Sequence, residues 1–334
     1  MSDDRYSAHI KPVATKPREV WLDVAKGISI ISVVLFHAGA LSTEGTTARR
    51  LWDIVDLGLF TFIMPLFFLV SGLVLGSALS WPFNVFLKRK VWPIAYLFVV
   101  WGGIYALLNW ISGDAIGSTA LATVSLQSVL WYLGALALYM VIAWLTRSMH
   151  TGLVLGASAM LAVPFAIYFP FEGWGLAHGP HFLVFFLVGC RLPRQVSSRI
   201  KAASLREVSF IAVLAIVFAV AAYLVPDSRA LIYAAAPLVS VPAILIVSQF
   251  LLRWRRIANF IAKLGVASLA IFVVHTLVLD IVRFITSRST EMPELFSWIA
   301  PILGTVLAVA VAMALWSLRR NLTWLFRPPY RETR

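Results

Sequence analysis

Charged residues and cysteine are the scarce components of this chain. Asp, Glu, Lys and Arg make up 13% of its 334 residues, against about 25% in typical soluble domains. Together with a mean hydropathy of +0.87, this shortage leaves no room for a large soluble domain and predicts an all-α, polytopic integral membrane protein. The one cysteine, Cys190, excludes an internal disulfide and argues against a cysteine-ligated metal, so we expect no metal site.

Acidic residues are scarcer than basic ones, with 15 Asp and Glu against 28 Lys and Arg, for a net charge of +13. In a membrane protein such an excess is typical of cytoplasmic loops, so it does not indicate a nucleic-acid partner. No short apolar core follows Met1 directly. We therefore expect no cleavable signal peptide and a first helix that is retained as an anchor.

Ten apolar segments, each close to the length that a bilayer requires, follow one another along the chain. They are 22–41, 57–79, 91–111, 126–145, 151–170, 177–190, 208–225, 230–252, 265–286 and 295–318. With a cytoplasmic N-terminus, 22 of the 28 lysines and arginines fall inside, four fall outside and two fall within spans, as the positive-inside rule predicts. The pattern predicts about ten transmembrane helices in one membrane domain at 21–320. Cytoplasmic tails would lie at 1–20 and 321–334, and the longest connections at 42–56 and 191–207.

The first apolar segment carries three ionisable residues, Asp23, Lys26 and His37. Lys26 and His37 are eleven positions apart, so they share one helix face about 16 Å apart along the axis. Asp23 lies one turn before Lys26. Because ionisable residues inside a membrane helix are costly unless they face a protein interior or a wet cavity, this stripe is predicted to line a cavity.

Each residue of the stripe has a functional and a structural interpretation. The His37 imidazole titrates near neutral pH and can take a proton from a hydroxyl, or it can be a hydrogen-bonded packing residue between helices. Lys26 can attract an anionic ligand at the cytoplasmic entrance or extend its amine to lipid headgroups. Asp23 can be a functional carboxylate or only the ion-pair partner of Lys26.

Further candidates lie in the second and third spans. Ser71 is predicted to be mid-membrane, where it can face the same cavity, but a serine nucleophile also needs a base beside it. Lys88, Arg89 and Lys90 begin the third span on the cytoplasmic side. Such a cluster either binds phosphate groups or only sets topology and contacts anionic lipid.

The ninth span contains His275, Asp280 and Arg283. Asp280 and Arg283 have the spacing of a helical ion pair, so they form a structural clamp or a polar cavity wall. His275 has the same two alternatives, core packing or cavity wall. His181, at the outer start of the sixth span, is a candidate for binding a polar acceptor.

Five motifs, in order along the chain, resemble those of one enzyme family. LDVAKGISIISVVLFHA resembles the first-helix signature of the type-three membrane acyltransferases, in which a basic residue precedes a histidine by eleven positions. PLFFLVSGLVLG, FLKRKVWPIAY, LWYLGAL with Trp131, and AIFVVHTLV are similar to its later motifs. The branch related to fucose O-acetylases is the most similar. One departure is the Lys-Arg-Lys cluster, where many members have two arginines separated by two residues.

The resemblance implies O-acylation, most often O-acetylation, of a carbohydrate hydroxyl at the outer face of the bacterial cytoplasmic (inner) membrane, with acetyl-CoA as donor. Under this hypothesis the catalytic candidates are Asp23, Lys26 and His37. The candidates for binding CoA are Ser71, Lys88, Arg89 and Lys90. The candidates for binding the carbohydrate acceptor are Trp131, His181, His275, Asp280 and Arg283.

Two other functions fit the same residues. In a transporter or flippase, Asp23, Lys26 and His37 would line a substrate or proton path. In an assembly partner of a polysaccharide machine, the stripe would be buried against another subunit. The sequence leaves open the acceptor sugar, the acyl group, and the oligomeric state, for which a homo-oligomer is one alternative.

Overall fold

A computed structural model describes residues 19–113, 129–168, 179–225, 235–286 and 294–329. Within these ranges the regular structure is helical and contains no strand. The all-α prediction is therefore confirmed for this part of the chain. Residues 1–18, which form most of the predicted N-terminal tail, and residues 330–334, the end of the predicted C-terminal tail, lie outside the described residues.

Fifteen α-helices are assigned in the described ranges, joined in places by single 3₁₀ or π turns. They are α1 Val20–Ala38, α2 Thr47–Phe60, α3 Ile63–Leu75, α4 Phe83–Phe86, α5 Trp92–Ser112, α6 Trp131–Leu145, α7 Thr151–Tyr168, α8 Gly179–Arg191, α9 Pro193–Lys201, α10 Leu205–Leu224, α11 Pro237–Leu251, α12 Arg255–Val266, α13 Ser268–Thr286, α14 Glu294–Ser317 and α15 Thr323–Phe326.

Helices suit an apolar chain because a helix satisfies its own backbone hydrogen bonds where no water is present. Five helical runs are long and apolar enough to cross a membrane: Val20–Leu41, Thr47–Ser80, Phe83–Ser112, Ser268–Thr286 and Glu294–Ser317. Five shorter apolar helices overlap the other predicted spans: Trp131–Leu145, Thr151–Pro164, Gly179–Arg191, Ser209–Phe218 and Pro237–Leu251. The count of ten and the side of each terminus stay predictions.

The two connections predicted as the longest contain helix. In the first, α2 begins at Thr47, because the Thr46 hydroxyl accepts a hydrogen bond from the Arg49 amide at 3.1 Å and caps the first turn. In the second, α9 begins at Pro193, with its fixed φ in the first turn. The sequence predicted 42–56 only as a connection between spans; because α2 is helical, it brings several of its side chains to the site.

The first helix is the centre of the bundle. It packs against α2, α3, α11, α12, α13 and α14. Its closest neighbour is α12, because Gly27 and Gly265 have no side chains at the crossing. A Cβ at Gly27 would overlap the carbonyl oxygen of Ile261, and one at Gly265 would overlap that of Asp23. The two backbones therefore touch at the end of α1 that holds Lys26.

The start of α1 is also tied to α9. Lys201 donates to Glu19 at 2.8 Å, and the Trp21 indole donates to the other oxygen of Glu19 at 2.8 Å. The hydrogen bond from Lys201 lowers the pKa of Glu19 below its ordinary value. Both side chains of the ion pair are partly exposed, so this link positions the helix end more than it stabilises the fold.

Candidate active site

One cavity of about 340 Å³ lies at the end of α1 that carries His37. Side chains of three helices give it its polar groups: His37 from α1, Arg49 and Asp56 from α2, and Asp280 and Arg283 from α13. We call it the histidine cavity. Four of the predicted site residues, His37, Trp131, Asp280 and Arg283, therefore line one cavity.

The ring of His37 is half-buried and contacts the ring of His275. Their centroids are 5.2 Å apart and their planes are tilted by 45°. His275 itself is fully buried and is not among the described residues that line the cavity. His275 therefore lies on the side of His37 that faces away from the cavity, where the ring contact can orient the His37 imidazole.

The position of His275 fixes its tautomer. Its Nδ1 lies 2.7 Å from the carbonyl oxygen of Phe272 and 3.2 Å from that of Ile271. Because carbonyl oxygens only accept, Nδ1 carries the proton, and Nε2 of the neutral ring is an acceptor for the Thr276 hydroxyl, 3.3 Å away. The two imidazoles at this site are thus not equivalent.

Helix α13 is held in place beside this pair by a buried tyrosine of α5. The Tyr105 hydroxyl donates to the carbonyl oxygen of Val273 at 3.0 Å and accepts from the amide of Leu277 at 3.1 Å. These two bonds lie on either side of His275 in the sequence. They fix the backbone that carries His275 to its neighbour.

Charges of both signs surround the histidine cavity. Arg49 binds Asp53 at 2.7 Å and donates to the carbonyl oxygen of Gly39, at the end of α1, at 2.9 Å. Arg283 contacts Asp280 at 3.2 Å, so the ion pair that their spacing indicated is present. Asp280 and Arg283 also line the cavity, so both structural roles proposed for them, an ion pair and a polar cavity wall, are present together.

Asp56 is a cavity residue that sequence reasoning missed, because 42–56 was predicted only as a connection between spans. Its Oδ1 is buried and has no hydrogen-bond partner within the described ranges. The carboxylate reaches this position because Gly39 has no Cβ, which would lie 2.5 Å from Oδ2. The spacing of Arg49, Asp53 and Asp56, at i, i+4 and i+7, was the available signal of one helix face.

A second cavity, of about 200 Å³, lies toward the other end of α1. We call it the lysine cavity, because its charged lining residues are Lys26 and Lys90. Ser71 also lines it, and its hydroxyl lies 3.0 Å from that of Tyr132. Lys26, Lys90 and Ser71, predicted separately from sequence, therefore share one pocket.

One side chain is common to the two cavities. Among the described residues, Phe272 alone belongs to both linings. It is 4% exposed, and its ring meets the ring of Tyr132 at 5.3 Å in an edge arrangement and that of His275 at 5.9 Å. The ring of Phe272 thus lies at the boundary between the lysine cavity and the histidine cavity.

Comparison with known proteins assigns the chain to a family. Residues 19–317 match the acyltransferase-3 family, described as an acyltransferase domain. The chain belongs to this family. Over 299 residues it is 23% identical to the inner membrane protein YcfT of Escherichia coli (strain K12), covering 80% of this chain and 81% of that protein. No solved structure matches the chain significantly. The resemblance seen in the sequence motifs is confirmed, and membership indicates a membrane-embedded acyltransferase.

Other predicted site residues of this acyltransferase lie apart from the two cavities. Lys88 and Arg89 are exposed next to Lys90. Asp23 is buried, and its backbone contacts α12. The ring of His181 meets Phe182 and Phe185 edge-on. None of these four residues is among the described linings; their predicted roles stay predictions.

Trp131 does line the histidine cavity, although it is 5% exposed. Its ring stacks on that of Phe182 at 5.8 Å. Over the described part of the chain, no group of three or more His, Cys, Asp or Glu side chains is placed to hold a metal ion. The ionisable side chains that line the histidine cavity offer an imidazole, two carboxylates and two guanidinium groups.

Proposed function

We propose that this protein is an O-acyltransferase that moves an acyl group, acetyl foremost, from cytoplasmic acyl-CoA to a hydroxyl of a cell-surface or periplasmic carbohydrate. The observation that carries the proposal is the order of the two cavities along α1. A cationic pocket lies near Lys26, and a pocket with an imidazole lies near His37, about 16 Å further along the helix axis.

The lysine cavity suits the donor. Acyl-CoA carries phosphate groups, and ammonium groups bind phosphate through charge-assisted hydrogen bonds. Lys26 and Lys90 line this cavity, and the exposed Lys88 and Arg89 extend the positive charge toward the predicted cytoplasmic side. The nucleotide end of the donor would stay here, while the thioester end reaches into the protein.

The histidine cavity suits the transfer step. The acceptor hydroxyl oxygen attacks the thioester carbonyl carbon, the new C–O bond forms, and the C–S bond breaks. His37 accepts the hydroxyl proton as general base and returns it to the departing CoA sulfur, so that an ester and CoA thiol are the products. His275 supports His37 from behind through the ring contact.

The acceptor would be held by the charged wall of the histidine cavity. A carbohydrate offers several hydroxyl groups, each a donor and an acceptor. The carboxylates of Asp56 and Asp280 accept hydrogen bonds, and the guanidinium groups of Arg49 and Arg283 donate them. Asp56 lines this wall, and its Oδ1 has no hydrogen-bond partner within the described ranges, so this carboxylate has unused capacity to accept hydrogen bonds.

The decisive test is turnover of acetyl-CoA by the purified protein in nanodiscs, with a glycan extract as acceptor. His37→Ala should lower turnover by about 10²–10⁴-fold, the usual contribution of a general base. His150→Ala is the matched control, because that histidine is exposed and lies outside both described linings. Wild-type turnover in His37→Ala, with the fold intact, would contradict the assignment.

A transporter or flippase is the second candidate, because two cavities in line along a membrane helix also suit a transport path. The family assignment favours acyl transfer. Consumption of acyl-CoA separates the two functions. Uptake or efflux in vesicles without any acyl-CoA consumption would favour transport.

A further inference from the structure

Four helices, α1, α3, α6 and α13, line both cavities, and the last three carry the side chains at the boundary. On α3, Met64 lines the histidine cavity and Phe67, one turn later, lines the lysine cavity. On α6, Trp131 lines the first and its neighbour Tyr132 lines the second. On α13, Phe272 lines both. Helices α3 and α6 thus contribute different side chains to the two cavities, whereas the ring of Phe272 on α13 lines both.

The ring of Phe272 can move without its helix. The backbone of α13 is fixed by the hydrogen bonds of Tyr105 to Val273 and Leu277, and the Phe272 carbonyl oxygen accepts from His275. The ring itself is apolar and makes no hydrogen bond; it contacts the rings of Tyr132 and His275. A rotamer change about its side-chain bonds is therefore the smallest motion that would join the cavities.

The proposed reaction needs such a passage. The donor phosphates are held beside Lys26 and Lys90, whereas the thioester carbon must reach the acceptor near His37. The chain that links them passes from one cavity to the other, and so passes Phe272. A side chain at this boundary that moves for the donor would act as gating elements of other active sites do.

We propose that Phe272 is the barrier between the two cavities, that it turns aside to admit the acyl thioester, and that its size limits which acyl groups reach His37. The second and third parts of this inference rest on the proposed function, and the first part does not. The bulk of one side chain would then set the acyl-chain preference of the enzyme.

The barrier is tested without any activity measurement. Met64→Cys places a thiol in the lining of the histidine cavity, in a Cys190→Ala background. Inverted membrane vesicles expose the cytoplasmic face to a membrane-impermeant thiol reagent. Labelling should be slow with Phe272 present and several-fold faster with Phe272→Ala. Phe67→Ala, a matched change that opens only the lysine cavity, should leave labelling slow. Equal labelling with both alanine variants would overturn the barrier.

The size limit is tested by competition between acetyl-CoA and longer acyl-CoA donors. Phe272→Ala and Phe272→Leu should shift the product ratio several-fold toward the longer acyl groups, and Phe272→Trp should shift it toward acetyl. Phe67→Ala should keep the wild-type ratio. Should Phe272→Ala not fold, the leucine and tryptophan variants still give opposite predicted shifts. A ratio that is the same in all three would overturn the size limit.

The two experiments separate this inference from the proposed function. If labelling responds to Phe272 while no variant consumes acyl-CoA, the barrier stands and the proposed function fails. If acyl-CoA is consumed while labelling and the product ratio ignore Phe272, the proposed function stands and this inference fails.

Discussion

The two cavities along α1 differ in charge. The lysine cavity has two ammonium groups, the hydroxyls of Ser71 and Tyr132, and no acidic side chain among its described lining residues. The histidine cavity has two guanidinium groups, two carboxylates and an imidazole. A site with only positive charge selects an anion. A site of mixed charge with a base suits a neutral molecule rich in hydroxyl groups. One helix, α1, thus contributes residues to two cavities that are suited to different ligands.

The two ends of α1 are also packed differently. Near Lys26, glycines let the backbones of α1 and α12 touch. Near His37, the close neighbour is Gly304 of α14, where an added Cβ would lie 2.5 Å from the Cδ1 of Leu41, the end of a flexible side chain. An added methyl group is therefore harder to accommodate at the lysine end, where it meets backbone, than at the histidine end, where it meets a side chain.

Among the variants that compare the two cavities, the one that removes the charge of Lys26 has the largest expected effect. Lys26→Gln should raise the KM for acetyl-CoA about 10–100-fold, since a hydrogen bond to a charged group contributes about 1.5–3 kcal/mol. The KM for the acceptor should stay the same, because Lys26 lines only the lysine cavity. Arg194→Gln, which removes a positive charge from an exposed residue outside both described linings, is the control. An equal rise for both variants would mean that the cavity has no special part in binding the donor.

Adding a methyl group at each end of α1 tests the difference in packing. Gly265→Ala should destabilise the protein by about 1–3 kcal/mol, because backbone atoms must move apart. Gly304→Ala should cost less, because Leu41 can turn away. Gly156→Ala, where a Cβ meets nothing within 4 Å, sets the baseline. Thermal unfolding in detergent measures all three; a loss for Gly304→Ala as large as for Gly265→Ala would remove the contrast.

Neutralising Asp56 tests the acceptor end alone. Asp56→Asn should raise the KM for the carbohydrate several-fold, since the hydrogen bond at stake contributes about 0.5–1.5 kcal/mol, and should leave the KM for acetyl-CoA unchanged. Glu44→Gln, at an exposed carboxylate of the same connection, is the control. A changed KM for acetyl-CoA instead would show that the two cavities are not separate in function.

The ion pair at the start of α1 has the smallest expected effect. The pKa of Glu19 is lowered in the folded protein, so its stabilising contribution is present above the pKa of the unfolded chain and is lost as pH falls through the folded pKa. An exposed pair contributes at most about 1 kcal/mol. Wild type should therefore unfold at a slightly higher temperature than Lys201→Gln at neutral pH, and the difference should vanish in acid. A difference that persisted in acid would contradict this origin.

The sequence predicted both ends of the site because one helix carries them. Eleven residues turn a helix by about 20° beyond three full turns, so Lys26 and His37 share a face. Asp23 differs from Lys26 by about 60° around the same helix. That difference is enough to bury it on the α12 side, where Gly265 admits the backbone. The helical period alone does not show where a neighbour comes that close.

The remaining site residues depend on contacts between segments far apart in the chain. Asp56 enters the histidine cavity because α2 is helical and Gly39 leaves room for it. Phe272 lies at the boundary between the cavities because its ring, on α13, meets the ring of Tyr132 on α6. The sequence around Phe272 does not distinguish it from ordinary core positions, and the helical spacing of Asp56 with Arg49 and Asp53 does not show that it faces a cavity. Only the three-dimensional arrangement shows their placement.

The central claim is that the lysine cavity binds the donor and the histidine cavity transfers the acyl group. The most direct measurement is equilibrium binding of acetyl-CoA to purified wild type, His37→Ala and Lys26→Gln in nanodiscs, beside their turnover. We expect His37→Ala to bind like wild type while losing turnover, and Lys26→Gln to bind more weakly. Loss of binding in His37→Ala, with wild-type binding in Lys26→Gln, would contradict the claim.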